Sequence, residues 1–220
     1  MDLTNRGDVA MRGVSVAGEL LGRRAEASLA EPIEPGQARS APLHYALDSP
    51  RAGTHALTLV VDYQEGAQRL SQAAYLLLAI GQQPPQAVDV TIQPLRLLDM
   101  GSLRVRLRSR DGAAHSVRLR GVAPTGLQLR DPAADLDVPA QAAVEVGMTV
   151  FRGSAPRPSV QGVLVVAETE DGATVSSAVA AATVDVLPDP AWLPRLRWPL
   201  LGLAVGLLLA AVWAEWRRPA

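Results

Sequence analysis

The residue types that do chemistry are thinly spread along this chain. Histidine occurs only at His44, His55 and His115, each alone in its segment, and there is no cysteine. A zinc site gathers four clustered histidine, thiolate or carboxylate ligands, and this spacing offers none. Asp131, Asp135 and Asp137 carry the oxygen ligands that calcium takes, but Pro132 and two alanines between them read as an ordinary polar loop. There is no Gly-x-Ser-x-Gly, no Gly-rich phosphate loop and no acidic pair in a recognisable pocket context. Arg6-Gly7-Asp8 spells an adhesion tripeptide, yet glycine there serves the backbone of a turn. The reading is therefore non-enzymatic, with no catalytic, metal or cofactor-binding residue to assign.

Arginine is the chemistry that does form a pattern. All 21 basic residues are arginine. Arg104, Arg106 and Arg108 alternate with Leu103, Val105 and Leu107, which puts three guanidinium groups on one face of a strand. Arg118 and Arg120 repeat the pattern on the next strand, and Arg130 follows Leu129. Together they are a candidate docking face for an acidic protein surface or anionic lipid headgroups. Adjacent strands that belong to different sheets would split it. Nucleic acid is not expected, because the net charge is −1 and no aromatic residues interleave to stack bases.

The elements that hold these residues are strands. Val88-Val90-Ile92, Leu103-Val105-Leu107 and Val144-Val146-Met148-Val150 each repeat every second position. Aligning Gly66 with Gly172 matches Leu57, Leu59 and Val61 to Val163, Val165 and Ala167, and Ser71 to Ser177. Each copy reads as an alternating strand, a tight turn (Gln64-Glu65-Gly66-Ala67; Glu170-Asp171-Gly172-Ala173) and a second apolar strand, which is a β-hairpin. Upstream, Pro35-Gly36-Gln37-Ala38 matches Pro139-Ala140-Gln141-Ala142. These matches describe an internal duplication of about 100 residues, each copy an antiparallel immunoglobulin-like sandwich. The second copy opens with Val88–Ile92 and Leu103–Leu107 before its matched region, whereas the first has almost nothing before Leu3. Its first strand is expected to be missing, supplied by a partner or by sequence upstream of Met1.

The C-terminal end differs in kind. Trp198 to Ala214 carries no charge and as a helix covers about 25 Å, close to a hydrocarbon core of about 30 Å once flanking aromatics sit at the interfaces. All four tryptophans lie here: Trp192 and Trp198 at one end, Trp213 and Trp216 at the other, as two interface belts. Gly202, Gly206 and Ala210 recur every fourth residue, a stripe that lets another membrane helix approach closely. Arg195 and Arg197 before the span balance Arg217 and Arg218 after it, so the positive-inside rule ties.

The order Leu3-Thr4-Asn5-Arg6-Gly7-Asp8, Val14-Ser15-Val16, Pro35-Gly36 and Pro50-Arg51-Ala52-Gly53-Thr54 resembles the CARDB-like group of bacterial β-sandwich modules and the similar module appended to bacterial α-galactosidases. The resemblance covers residues 1–81 best and 87–187 more weakly, where Ser109-Arg110-Asp111-Gly112 replaces the first turn. It implies an extracytoplasmic, non-catalytic domain on a surface or membrane-anchored protein.

The expected fold class is all-β: two tandem immunoglobulin-like antiparallel β-sandwiches followed by a single C-terminal transmembrane α-helix. The layout is a sandwich over 1–81, a linker at 82–86, a second sandwich over 87–187, a Pro-rich stalk at 188–197, the span at 198–216 and a tail at 217–220. The expected function is that of an accessory subunit packed onto other integral subunits of a bacterial inner-membrane complex, with the β-domains in the periplasm. If Met1 is the true start, the chain is instead tail-anchored with cytoplasmic domains, since Met1 to Arg24 shows no signal-peptide stretch. The alternative is an anchored adhesion or carbohydrate-binding module, for which Tyr45, Tyr63, Tyr75 and Phe151 are the aromatics outside the anchor region.

Overall fold

Stretches rich in valine, leucine and alanine with a period of two bury half their side chains when they pair into a sheet with one face inward. The computed structural model describes residues 1–172, 174–188, 199, 201 and 202. Its first half runs β1 (Asp2–Thr4), β2 (Met11–Leu20), β3 (Arg23–Ser28), β4 (Ala38–Ser40), β5 (Ala52–Glu65) and β6 (Gln68–Ile80). The second half runs β7 (Val88–Ile92), β8 (Leu95–Leu97), β9 (Met100–Ser109), β10 (His115–Val122), β11 (Leu127–Arg130), β12 (Ala133–Val138), β13 (Ala143–Arg152), β14 (Ser159–Asp171) and β15 (Thr174–Val186). The segment expected as a linker joins β6 to β7. The fold class is all-β.

The matched sequences occupy matching hairpins. At the turn Glu65 faces Gln68 and Asp171 faces Thr174; at the far end Gly53 faces Ile80 and Ser159 faces Val186. Gly66 and Gly172 occupy the turns with φ of 59° and 55°, the backbone that a two-residue hairpin loop needs and glycine adopts without strain. Leu57, Leu59 and Val61 face the core of the first half, and Val163, Val165 and Ala167 that of the second.

The cores are roofed differently. In the second half the sheet β12-β10-β14-β15 is covered by the four-stranded sheet β11-β13-β9-β7, with Leu103, Leu107, Leu119, Val165, Val184 and Val186 between them. In the first half the sheet β6-β5-β2-β3 is covered by the small β1-β4 ribbon and by the chain around Ile33, Ala41 and Leu43. Gly18 in β2 makes this cover possible: a Cβ there would lie 2.2 Å from the Tyr45 hydroxyl and 2.9 Å from Leu43 Cδ1. Asn5, nearly fully buried, pins the ribbon by donating from Nδ2 to the carbonyls of Val9 and Ile33, both at 2.8 Å.

The two halves stack through the backs of their sheets. Ala56 and Thr58 of β5 and Leu164 and Val166 of β14 are buried, yet belong to neither core cluster. Glu19 of β2 pairs with Arg120 of β10 across this junction. Thr125 donates from its backbone N–H to Ser71 Oγ and from its hydroxyl to Asp62 Oδ2, each at 3.0 Å. β15 also runs parallel to β5 for two residues, Thr174 beside Ala52 and Val175 beside Gly53, and this pairing joins the strands of both halves into one nine-stranded sheet. Gly53 (φ 140°) is obligatory there, since a Cβ would fall 2.0 Å from the Val175 carbonyl oxygen. Residues 1–187 consequently form one compact unit, and 188–220 a second.

Of the second unit, Pro199, Leu201 and Gly202 are helical and exposed. Among the described residues no helix is long and apolar enough to cross a membrane. The expected span at 198–216 otherwise lies outside the described residues, as do Trp192, Trp198, Trp213, Trp216, Gly206 and Ala210.

Candidate functional site

The arginines do not form one face. β9 and β10 lie in different sheets, so the six-residue patch expected from the sequence is divided. Arg104, Arg106 and Arg108 project from the outer face of β9, and Arg130 from the outer face of β11 in the same sheet; all four are exposed. Their neighbours across the ladder include Glu145, opposite Arg106, and Asp89, opposite Arg108. This face is basic with two carboxylates set into it. Arg118 and Arg120 sit on the back of β10. Arg118 pairs with Asp135 at 3.4 Å, and Arg120 is held by Glu19 of the other half.

A cleft of about 510 Å³ opens beside that junction, lined by Glu19, Arg23, Arg51, His55, Arg118 and Glu168 among others. Much of its charge is spent within the chain: Arg51 pairs with Glu170 from the other half, and Arg23 with Asp48 at 3.5 Å. His55 is 1% exposed, where an exposed or strand-edge position is the ordinary expectation for a lone histidine. Its Nε2–H donates to the Arg51 carbonyl at 2.8 Å, and so ties the start of β5 to the preceding loop. Tyr45 is a partly buried ring close to Glu19. Burial pushes its phenol pKa up, and the Glu19 carboxylate adds to the shift.

A second cleft, about 640 Å³, lies where Thr125 meets Asp62 and Ser71, with Tyr63, Gln64 and Gln161 also on its walls. Hydroxyl and amide groups line it together with the Asp62 carboxylate and the Arg69 guanidinium. Tyr63 accepts a hydrogen bond from Gln72 Nε2 at 3.1 Å.

The remaining sequence candidates serve local geometry. His115 donates to Asp111 at 2.8 Å, and this bond, then the Ala113 N–H, lowers the Asp111 carboxyl pKa from 3.8 to about 2. Among the described residues no group of three or more histidine, cysteine, aspartate or glutamate side chains is placed to hold a metal ion, so Asp131, Asp135 and Asp137 do not converge. In Arg6-Gly7-Asp8, the Gly7 N–H donates to Asn5 Oδ1 at 2.9 Å. Gly202 has open space where a Cβ would sit.

One surface escapes a motif-based reading. Tyr75, Leu76 and Leu77 of β6 are 43%, 53% and 44% exposed. The signal for it was present: no charged residue occurs between Arg69 and Asp89. Period-two reasoning assigns such a run to a strand buried on both faces, and here, among the described residues, Tyr75, Leu76 and Leu77 leave side chains exposed on both. No protein-family model matches the chain, and no curated protein does.

Proposed function

We infer that this chain is a non-enzymatic, single-pass bacterial membrane protein, an accessory subunit that braces a larger membrane complex with two immunoglobulin-like modules of CARDB-like type. The observation that carries the reading is the back-to-back stack of the two halves. Glu19–Arg120, Arg51–Glu170 and the Thr125 hydrogen bonds spend polar groups on fixing one half against the other. A stack held in this way is a stiff spacer. The uncharged stretch from Trp198 to Ala214 supports an anchor, with Gly202, Gly206 and Ala210 as its packing stripe and the flanking tryptophans at the interfaces. The outer face with Arg104, Arg106, Arg108 and Arg130 suits an acidic protein surface or anionic headgroups. The β-modules then lie on the periplasmic side.

Extraction of the host's membranes in mild detergent tests the reading. The chain should pellet with membranes and co-purify with other integral polypeptides, and Gly206→Leu should weaken that association. Recovery in the aqueous phase removes the anchor, and a monodisperse free monomer removes the complex. An anchored carbohydrate binder is the second reading, favoured by the polar cleft where Tyr63, Gln64, Gln161, Asp62 and Arg69 come together. Glycan-array binding lost in Tyr63→Ala would promote it.

A further inference from the structure

The duplicated hairpin sets β6 against a covered counterpart, β15. β14–β15 repeats β5–β6 pair for pair, so Leu76, Leu78 and Ile80 of β6 correspond to Ala182, Val184 and Val186 of β15. Those three β15 residues are buried, at 9%, 0% and 0% exposure. Their cover is the segment that opens the second half. β8 pairs in parallel with the outer edge of β15, Leu95 beside Val184 and Leu97 beside Val186, and Leu97 is fully buried in the core cluster. Among the described residues β6 pairs only with β5. Its outer edge is open over the same positions, Leu76 is 53% exposed, and Leu78 and Ile80 are half-buried.

We propose that the open end of β6, residues 74–80, receives an extended apolar strand of a partner polypeptide, paired in parallel along Leu78–Ile80 as β8 pairs with β15. The occupant has the alternating chemistry of Leu95-Arg96-Leu97, with two leucines set beside Leu78 and Ile80 and a polar residue outward. The edge itself selects a strand over a lipid surface. Acyl chains would satisfy the leucines but leave the row of edge N–H and C=O groups without partners, whereas an added strand satisfies both. A second copy related by a twofold axis would set two β6 edges antiparallel, which is not the geometry of the covered hairpin. β6 carries none of the usual edge protection: after Arg69 it has no charge and no proline.

The inference rests on the docking role argued above, but its test reads β6 alone. The full chain in mild detergent is mixed with a synthetic peptide of residues 88–99, the chain's own covering segment, and amide hydrogen exchange is followed. The expected result is slowing by at least about tenfold at 76–80, with the β15 amides unchanged, and no slowing by a peptide carrying aspartate for Leu95 and Leu97. Leu78→Asp in the protein should abolish the effect while circular dichroism stays that of the unaltered chain. No protection by the peptide overturns the proposal. So does equal protection by phosphatidylglycerol vesicles alone, or protection that appears with protein concentration as the mass doubles. Because exchange is read without co-purified proteins, failure here leaves the membrane-complex reading standing, and failure of that reading leaves the edge measurable.

Discussion

Leu21 is a place where this chain departs from the residue its backbone favours. It sits with Gly22 in the two-residue turn between β2 and β3, with φ of 52° and 71°, and that turn prefers Asn-Gly because both residues need positive φ. Leu21→Asn should therefore stabilise the chain by about 1 kcal/mol, read as a shift of the urea midpoint at constant slope. Asp111 gives a pH prediction of definite sign. Its carboxyl pKa is lowered to about 2 by the His115 hydrogen bond, so its contribution is present above its ordinary 3.8 and fades as pH falls toward 2. Carbon-detected NMR should place its titration near 2, and His115→Ala should raise it while the Ala113 N–H and Ser109 hydroxyl still hold it below the ordinary 3.8. An ordinary titration in the unaltered chain would show that the bond does not form. Gly66 and Gly172 were legible as turn residues before any coordinates. His55 was not, since a lone histidine among apolar residues says nothing about which carbonyl its ring will meet.

Between elements, the informative comparison is β6 against β15. The two have the same length and the same register within their hairpins, and opposite surroundings among the described residues. Val184→Ala empties a site with no exposure and should cost about 2 kcal/mol. Leu78→Ala, at the corresponding half-buried position under no second sheet among the described residues, should cost less than about 1 kcal/mol. Equal costs in thermal melts would mean that β6 is covered in solution. The alternation in β9, Leu103-Arg104-Val105-Arg106-Leu107-Arg108, was enough to put the arginines on an outer face. It could not place β10 in another sheet, because the period of a strand fixes its faces and leaves its neighbours free. Arg118 and Arg120 consequently end up on the back of the opposite sheet.

For the molecule as a whole, the shared back faces predict that residues 1–187 unfold together. Calorimetry should show one transition for this unit, with its van't Hoff and calorimetric enthalpies equal. Gly53→Ala drives a Cβ into the Val175 backbone and should cost about 3 kcal/mol or more. It should also split the melt in two as the halves part. Two transitions in the unaltered chain would mean that the stack does not couple them. By itself the sequence determined the all-strand class, the duplicated hairpin and its glycine turns, because period-two burial and positive-φ loops are local requirements written in neighbouring residues. Only the tertiary structure decided that the copies lie back to back, that Glu19 meets Arg120, and that among the described residues β6 is left open where β15 is closed. Those outcomes depend on which sheet faces which, and that is settled by contacts between residues far apart in the chain, on which local alternation is silent.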